Sequence, residues 1–358
     1  MRCIALLGRK DEPTDAVEEY CRYLANALHT HNIDMEICRV PWASKGWPHA
    51  LRDLRSQSSQ WQGQWVLLQY TALAWSARGF PQKVLSVLRI LKSSAARVAI
   101  VFHDAEPFSG NRLIDSFRHF VQVRTMRRAL AIADLAIFTV PPQNLSWPPK
   151  SLPPQVHFIP VGANMPVPLD ASAAQPSVTP KSVAVFGITG GHAGARETQL
   201  ILSAVCHAAK TLGPLHLSVF GRHAELHEAV LAEGLRGVPV TLTVEGVLDA
   251  AEVVRRLSAS TVLLFVRGSV CSRRGSAIAG ISCGLPVVGF SGSETASPIT
   301  DAGVLLVPPD RPDQLNDALV RVLSDTALRA ELCRRSQDAH RAHFSWDSIS
   351  ARFTALLV

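Results

Sequence analysis

The sequence has no apolar run long enough to cross a bilayer. Stretches such as 262–266 and 304–307 are strand-sized, far below the roughly 20 residues that a spanning helix needs. It also lacks the pattern of a secretion signal. The apolar start at 1–7 is followed at once by Gly8, Arg9, Lys10 and Asp11, which leaves the apolar region too short. The seven cysteines are odd in number and scattered, without a Cys-x-x-Cys pair. A disulfide framework or a zinc site is therefore not expected, and a reducing cytoplasm fits. There is no Asp-x-Asp metal signature, no low-complexity tract and no recognised nucleic-acid-binding motif, so neither a metal nor a nucleic-acid partner is expected.

What is present is the composition of a globular protein, 47% hydrophobic and 18% charged, too apolar for a chain that stays unfolded. Its 358 residues suit two domains of about 150 each. The charge is divided unevenly. Residues 1–166 hold 19 Lys+Arg against 12 Asp+Glu, whereas 167–358 hold 17 of each. The whole excess of +7 sits on the first half, which points to an anionic partner there, a phosphate-bearing substrate or a membrane surface. A merely basic surface is the alternative.

Short apolar runs alternate with helix-like segments along the chain. In the first half the strands are expected at 2–7, 35–40, 66–70, 98–102, 135–140 and 156–160, with a helix over 14–28 capped by Thr14 or Asp15. A stretch at 164–181 holds four prolines, at Pro166, Pro168, Pro176 and Pro180, with no periodicity, and reads as a linker. The alternation then restarts, with strands at 182–186, 215–220, 240–244, 261–266, 286–289 and 303–307 and helices at 198–212, 249–257, 276–283 and 312–324. The expected class is α/β: an N-terminal Rossmann-like domain at 1–166, a linker at 167–181, a C-terminal Rossmann-like domain at 182–340 and a closing helix at 341–358. Such sheets bind ligands at the carboxyl ends of their strands, which places the expected site in a cleft between two lobes.

Three stretches of the second half carry candidate phosphate chemistry. Ser272, Arg273, Arg274, Gly275 and Ser276 lead from a strand into a helix. A helix N-terminus offers free N–H groups and partial positive charge, Gly275 permits close backbone approach, and arginines grip oxygens in bidentate fashion. A glycine-rich loop with Gly187, Thr189, Gly190 and Gly191 follows the first strand of that half, and can also be a plain tight turn. Arg222 and Arg267 stand at two further strand ends, as diphosphate partners or as solvated surface groups. In the first half, His103 and Asp104 follow a strand. An imidazole there can orient hydroxyls or act as a base near neutral pH. Asp11 can serve as a base for an acceptor hydroxyl or simply cap its turn. Residues 117–130 combine Phe117, Phe120, Val121, Val123 and Met126 with Arg118, Arg124, Arg127 and Arg128. This is the pattern of a basic helix on an anionic bilayer, or of an ordinary domain helix.

The order of segments resembles the GT-B glycosyltransferases, and most of all glycosyltransferase family 4. The resemblance rests on Cys283-Gly284-Leu285-Pro286-Val287-Val288, on Gly303 through Pro309 before a helix from Asp313, on Phe344-Ser345-Trp346-Asp347, and on Ile159-Pro160-Val161-Gly162-Ala163-Asn164. It implies two Rossmann-like domains, a last helix that crosses back to the first domain, and transfer of a sugar from a UDP- or GDP-type donor with retention. It also implies a donor-sugar contact for His103 and an acceptor side lined by Gly8, Arg9 and Lys10. Tyr70 and Thr71 follow the third strand, where an aromatic ring either stacks on a sugar face on the acceptor side or packs in the core. One feature departs from the family. Its Glu-x7-Glu pair falls here at Cys271 and Ala279, so both carboxylates are missing. The expected function is a metal-independent, cofactor-free glycosyltransferase of surface polysaccharide or glycoconjugate synthesis, cytoplasmic or at the inner face of the membrane. Its partners would be a nucleotide sugar and a glycan or lipid-linked acceptor. A sugar-nucleotide epimerase and a non-catalytic nucleotide-sugar binding protein are the rivals.

Overall fold

The computed structural model describes residues 1–166 and 181–358. The expected linker at 167–181 lies outside the described residues except for Lys181, which opens a strand. The chain divides into two units, Met1–Pro160 with Trp346–Val358, and Val161–Ser345.

The first unit runs β1 (Arg2–Leu7), α1 (Ala16–His29), β2 (Asp34–Arg39), α2 (Trp42–Lys45), α3 (Trp47–Ser58), β3 (Trp65–Tyr70), α4 (Val84–Ser93), β4 (Arg97–Phe102), α5 (Leu113–Ile132), β5 (Leu135–Phe138) and β6 (Val156–Phe158). Its six strands are parallel in the order β2-β1-β3-β4-β5-β6. All of β3 and the last five residues of β4 are buried, as befits strands covered on both faces. Asp15 caps α1 by accepting from the N–H groups of Val17 and Glu18 at 3.2 and 3.1 Å, one of the two caps the sequence offered.

The second unit runs β7 (Lys181–Phe186), α6 (Gly191–Leu212), β8 (Leu215–Phe220), α7 (Glu228–Gly234), β9 (Val240–Glu245), α8 (Ala250–Ser258), β10 (Val262–Ser269), α9 (Gly275–Ser282), β11 (Val287–Phe290), β12 (Val304–Val307), α10 (Asp313–Ser324) and α11 (Thr326–Ala339). The closing helix α12 (Trp346–Leu357) returns to the first unit. There Phe353 and Ile349 are fully buried, Trp346 stacks on Tyr23 with ring centroids 5.6 Å apart, and the Leu357 carbonyl accepts from Trp65 Nε1 at 2.8 Å.

The second sheet is also six-stranded and parallel, in the order β12-β11-β10-β7-β8-β9. Numbered within its own unit this is 3-2-1-4-5-6, the doubly wound order. The chain direction across the sheet reverses between β7 and β10 in the second unit, and between β1 and β3 in the first. Loops that leave those four strands diverge and open a crevice at the strands' carboxyl ends. Two elements differ from the sequence reading at these points. Helix α6 begins at Gly191, seven residues before the expected start, so Gly191 lies in its first turn. Strand β10 continues to Ser269, with a register irregularity against β11 after Phe265, so Arg267 lies within it.

Candidate functional site

In the second unit the reversal point gathers arginine. Gly187 follows β7 with φ +78°, and a Cβ there would lie 3.0 Å from Arg267 Nη1. Only glycine combines that backbone conformation with so close a guanidinium. Arg267 and Arg274 each have a buried Nε without a hydrogen-bond partner. Burial lowers the pKa of Arg267 first. Glu197 opposes this, and Arg274 and Arg222 push it further down. Arg274 and Arg222 are thus near enough to act on Arg267 electrostatically, with Glu197 as the opposing carboxylate. Like charges gathered in a partly buried place repel one another, and a bound anion relieves that repulsion. Glu197 is 7% exposed, and its Oε2 accepts from the Thr189 N–H at 2.7 Å, which fixes the loop entering α6. Gly190 caps that helix without a side-chain bond, and α9 likewise starts without one, after Arg274 at its cap and with Gly275 and Ser276 in its first turn. Both helix starts keep backbone N–H groups available to an acceptor.

Two residues of the expected phosphate loop have other tasks. The Arg273 fork closes on Glu294, with Nε to Oε2 and Nη2 to Oε1 both at 2.9 Å. Glu294 is 6% exposed, so this is a partly buried bidentate pair that ties the stretch before α9 to the loop after β11. Arg273 thus serves as a loop clamp. Ser272 is 1% exposed and its carbonyl accepts from Val161 N–H at 3.0 Å, so its side chain is not presented to a ligand. Cys271, where the resemblance would put a carboxylate, is buried, and its Sγ lies 3.2 Å from Glu294 Oε2. Burial and then Glu294 push this thiol up to about 11. A carboxylate does stand beside position 271, supplied by Glu294 and neutralised by Arg273. Ala279 is 2% exposed.

In the first unit the reversal point holds a pocket of about 240 Å³, lined among others by Gly8, Arg9, Asp11, Thr71 and Asp104. Five expected residues therefore share one cavity. Gly8 has no room for a side chain, since a Cβ would sit 2.2 Å from the Ala74 carbonyl oxygen, and Arg9 N–H donates to that oxygen at 2.7 Å. Arg39, at the end of β2, ties the loop down. It donates to the Gly8 carbonyl at 2.8 Å, to Asp15 at 3.1 Å and to Glu18 at 2.7 Å. Asp104 Oδ2 accepts from Ala72 N–H at 2.8 Å. Lys10 is exposed and pairs with Glu12. Tyr70 is corrected. It is 0% exposed, its ring meets Phe102 at 5.3 Å, and its hydroxyl is buried without a partner. As the last residue of a strand covered on both faces it belongs to the core, and the loop begins only at Thr71.

His103 Nε2 lies 2.8 Å from Gln69 Oε1, and Gln69 Nε2 donates to the Leu67 carbonyl at 3.1 Å. The second bond orients the amide, so His103 Nε2 donates and Nδ1 keeps its lone pair. The ring packs edge-on to Tyr20 at 4.9 Å. Burial lowers the His103 pKa to about 4, with Asp15 opposing. The imidazole is neutral at pH 7, suited to accept a hydrogen bond and weak as a base.

Four residues of these two places went unread in the sequence: Glu197, Glu294, Arg39 and Gln69. Gln69 carried a signal, as the single polar side chain of an otherwise apolar and aromatic strand. The other three become visible only when the sheet order brings distant loops together.

No family model and no curated protein sequence matches the chain. Solved structures do. Anabaena HepE in complex with UDP and glucose aligns with a TM-score of 0.62 at 13% identity, over 100% of this chain and 99% of its own. Sucrose-phosphate synthase from Thermosynechococcus elongatus aligns at 0.67 and 18% identity, over 99% and 98%. WaaG, a glycosyltransferase involved in lipopolysaccharide biosynthesis, aligns at 0.56 and 12% identity, over 99% of both chains. The fold is GT-B. The two Rossmann-like units and the closing helix, expected from segment order, are those of this architecture.

Proposed function

We propose that this GT-B chain is a glycosyltransferase that moves a sugar from a nucleoside diphosphate sugar to a glycan or lipid-linked acceptor. The observation that carries the reading is the cluster of Arg222, Arg267 and Arg274 at the reversal point of the second sheet, with its glycine loop and two helix starts. A diphosphate brings further negative charge to this basic place. Arg267 and Arg274 meet its oxygens, and the N–H groups of Gly190 and Gly191 and of Gly275 and Ser276 add donors. As the sugar–oxygen bond breaks, charge grows on the leaving diphosphate, and fixed cations there stabilise that charge without a metal. Complexes of HepE with UDP on the same fold support the choice of ligand.

The first unit's pocket takes the acceptor, with Asp11 and Asp104 as partners for its hydroxyl and Arg9 for an anionic group. His103 offers Nδ1 as a neutral acceptor for a sugar hydroxyl. Retention follows from the resemblance and is read by NMR of the product's anomeric centre. The setting is cytoplasmic, at the membrane face where lipid-linked acceptors reside.

A release assay for nucleoside diphosphate, run with a donor panel and extracted glycolipid and glycan acceptors, tests the reading. Acceptor-dependent release of UDP or GDP is expected. Interconversion of free sugar nucleotide would replace it with an epimerase, and donor binding without turnover on any acceptor would replace it with a binding protein.

A further inference from the structure

Helix α5 presents a face that its own unit leaves uncovered. Leu113 is 92% exposed, Phe117 56% and Phe120 59%. At helical spacing these three lie on one stripe with Arg124, Arg127 and Arg128. The pattern is not the one expected from sequence, because Val121 and Met126 face the core while both phenylalanines face out. The apolar part occupies the first two turns and the basic part the last three. Ile114 and Phe108 extend the apolar area and are both about half exposed. Five of the twelve large apolar side chains exposed among the described residues fall within 108–120. A cluster of this kind on a soluble surface marks an interaction site.

Charge identifies what covers it. Residues 71–133 hold ten Lys+Arg and three Asp+Glu, which equals the entire +7 excess of the chain. None of the three acids offsets the exposed stripe. Asp115 is buried and held by Arg118, Glu106 is bound to the N–H and hydroxyl of Ser146, and Asp104 lines the acceptor pocket. No ion pair engages Arg124 or Arg128 among the described residues, and Arg127 donates to the Trp147 carbonyl. An apolar wedge followed by unneutralised arginines matches an interface of acyl chains and anionic headgroups. No helix of the described residues is long and apolar enough to span a bilayer, so such contact is peripheral.

The face also leads to the acceptor pocket. A second cavity of about 370 Å³ is lined by Phe108, Arg118 and Gln122 together with Leu73 and Asp104. The last two residues line the acceptor pocket as well, so the two cavities share a wall.

We infer that the α5 face docks on an anionic bilayer and that the acceptor is a membrane lipid whose head group reaches the pocket past Leu73. The docking stands on its own, and only the identity of the acceptor rests on the sugar-transfer reading. Flotation of the full chain with phosphatidylcholine vesicles, with and without 30% phosphatidylglycerol, tests it. Binding to the anionic vesicles is expected. Phe117→Ser/Phe120→Ser and Arg124→Gln/Arg128→Gln should each weaken it roughly tenfold or more, with UDP affinity and melting temperature unchanged because all four side chains are exposed. Absence of vesicle binding, or binding that the phenylalanine variant leaves intact, would overturn the docking while leaving the donor site untouched. Loss of UDP binding with vesicle binding retained would instead overturn the sugar-transfer reading.

Discussion

Arg273 and Arg274 are neighbours in the chain, yet their guanidinium groups meet different surroundings. One is closed on a buried carboxylate, and the other leaves its Nε without a partner. Their substitutions should therefore separate stability from binding. Arg273→Ala strands Glu294 and is expected to cost about 3 kcal/mol in denaturant unfolding, with UDP affinity of the folded protein little changed. Arg274→Ala should leave unfolding unchanged and weaken UDP binding roughly tenfold or more in calorimetry. The sequence presents both as one basic run. The partner that distinguishes them lies 21 residues further on, and nothing in local spacing announces it. His103 was legible as a strand-end imidazole, but its neutral state depends on burial against Tyr20 and Gln69. Above pH 6.5 the ring is neutral in folded and unfolded chains alike. As pH falls from 6.5 toward 4, the unfolded chain binds a proton that the folded one resists. Stability then drops by up to about 3 kcal/mol, and the loss is complete below the folded pKa. Denaturant titrations at pH 7 and pH 5 should show about 2 kcal/mol of that drop in the native chain and a smaller one in His103→Gln.

Helix α6 shows why element boundaries are harder to read than elements. Glycines at Gly190, Gly191 and Gly194 argue locally for a loop, and the expected start was Thr198. Tertiary contacts override this. Glu197 accepts from Thr189 N–H, and the Thr198 hydroxyl bonds the Gly194 carbonyl and meets His227 Nδ1 at 2.9 Å. The early start brings the helix terminus to the end of β7, next to Arg267. Gly187→Ala tests that junction. It forces a side chain into φ +78° against Arg267 Nη1, and should cost about 1–2 kcal/mol of stability. It should also displace Arg267 and weaken UDP binding, as melting and calorimetry on the same variant would show. An unaltered affinity would separate the glycine loop from the arginine cluster.

At the scale of the molecule, two arrays of alternating strands and helices, and a closing helix around Trp346, were readable from periodicity and segment order. Sheet order was not, because strand runs that are apolar throughout look alike whichever neighbours they take. Sheet order nevertheless decides where the chemistry lies. It brings Gly187 beside Arg267 in one unit and Asp11 beside Thr71 and Asp104 in the other. The central claim is that the arginine cluster at the β7/β10 reversal point binds a diphosphate. Titration calorimetry of UDP against uridine, on the native chain and on Arg267→Ala/Arg274→Ala, tests it most directly. The account predicts that UDP binds the native chain far more tightly than uridine does, and that the double variant reduces UDP to the level of uridine. Equal UDP affinity in the native chain and the double variant would contradict it.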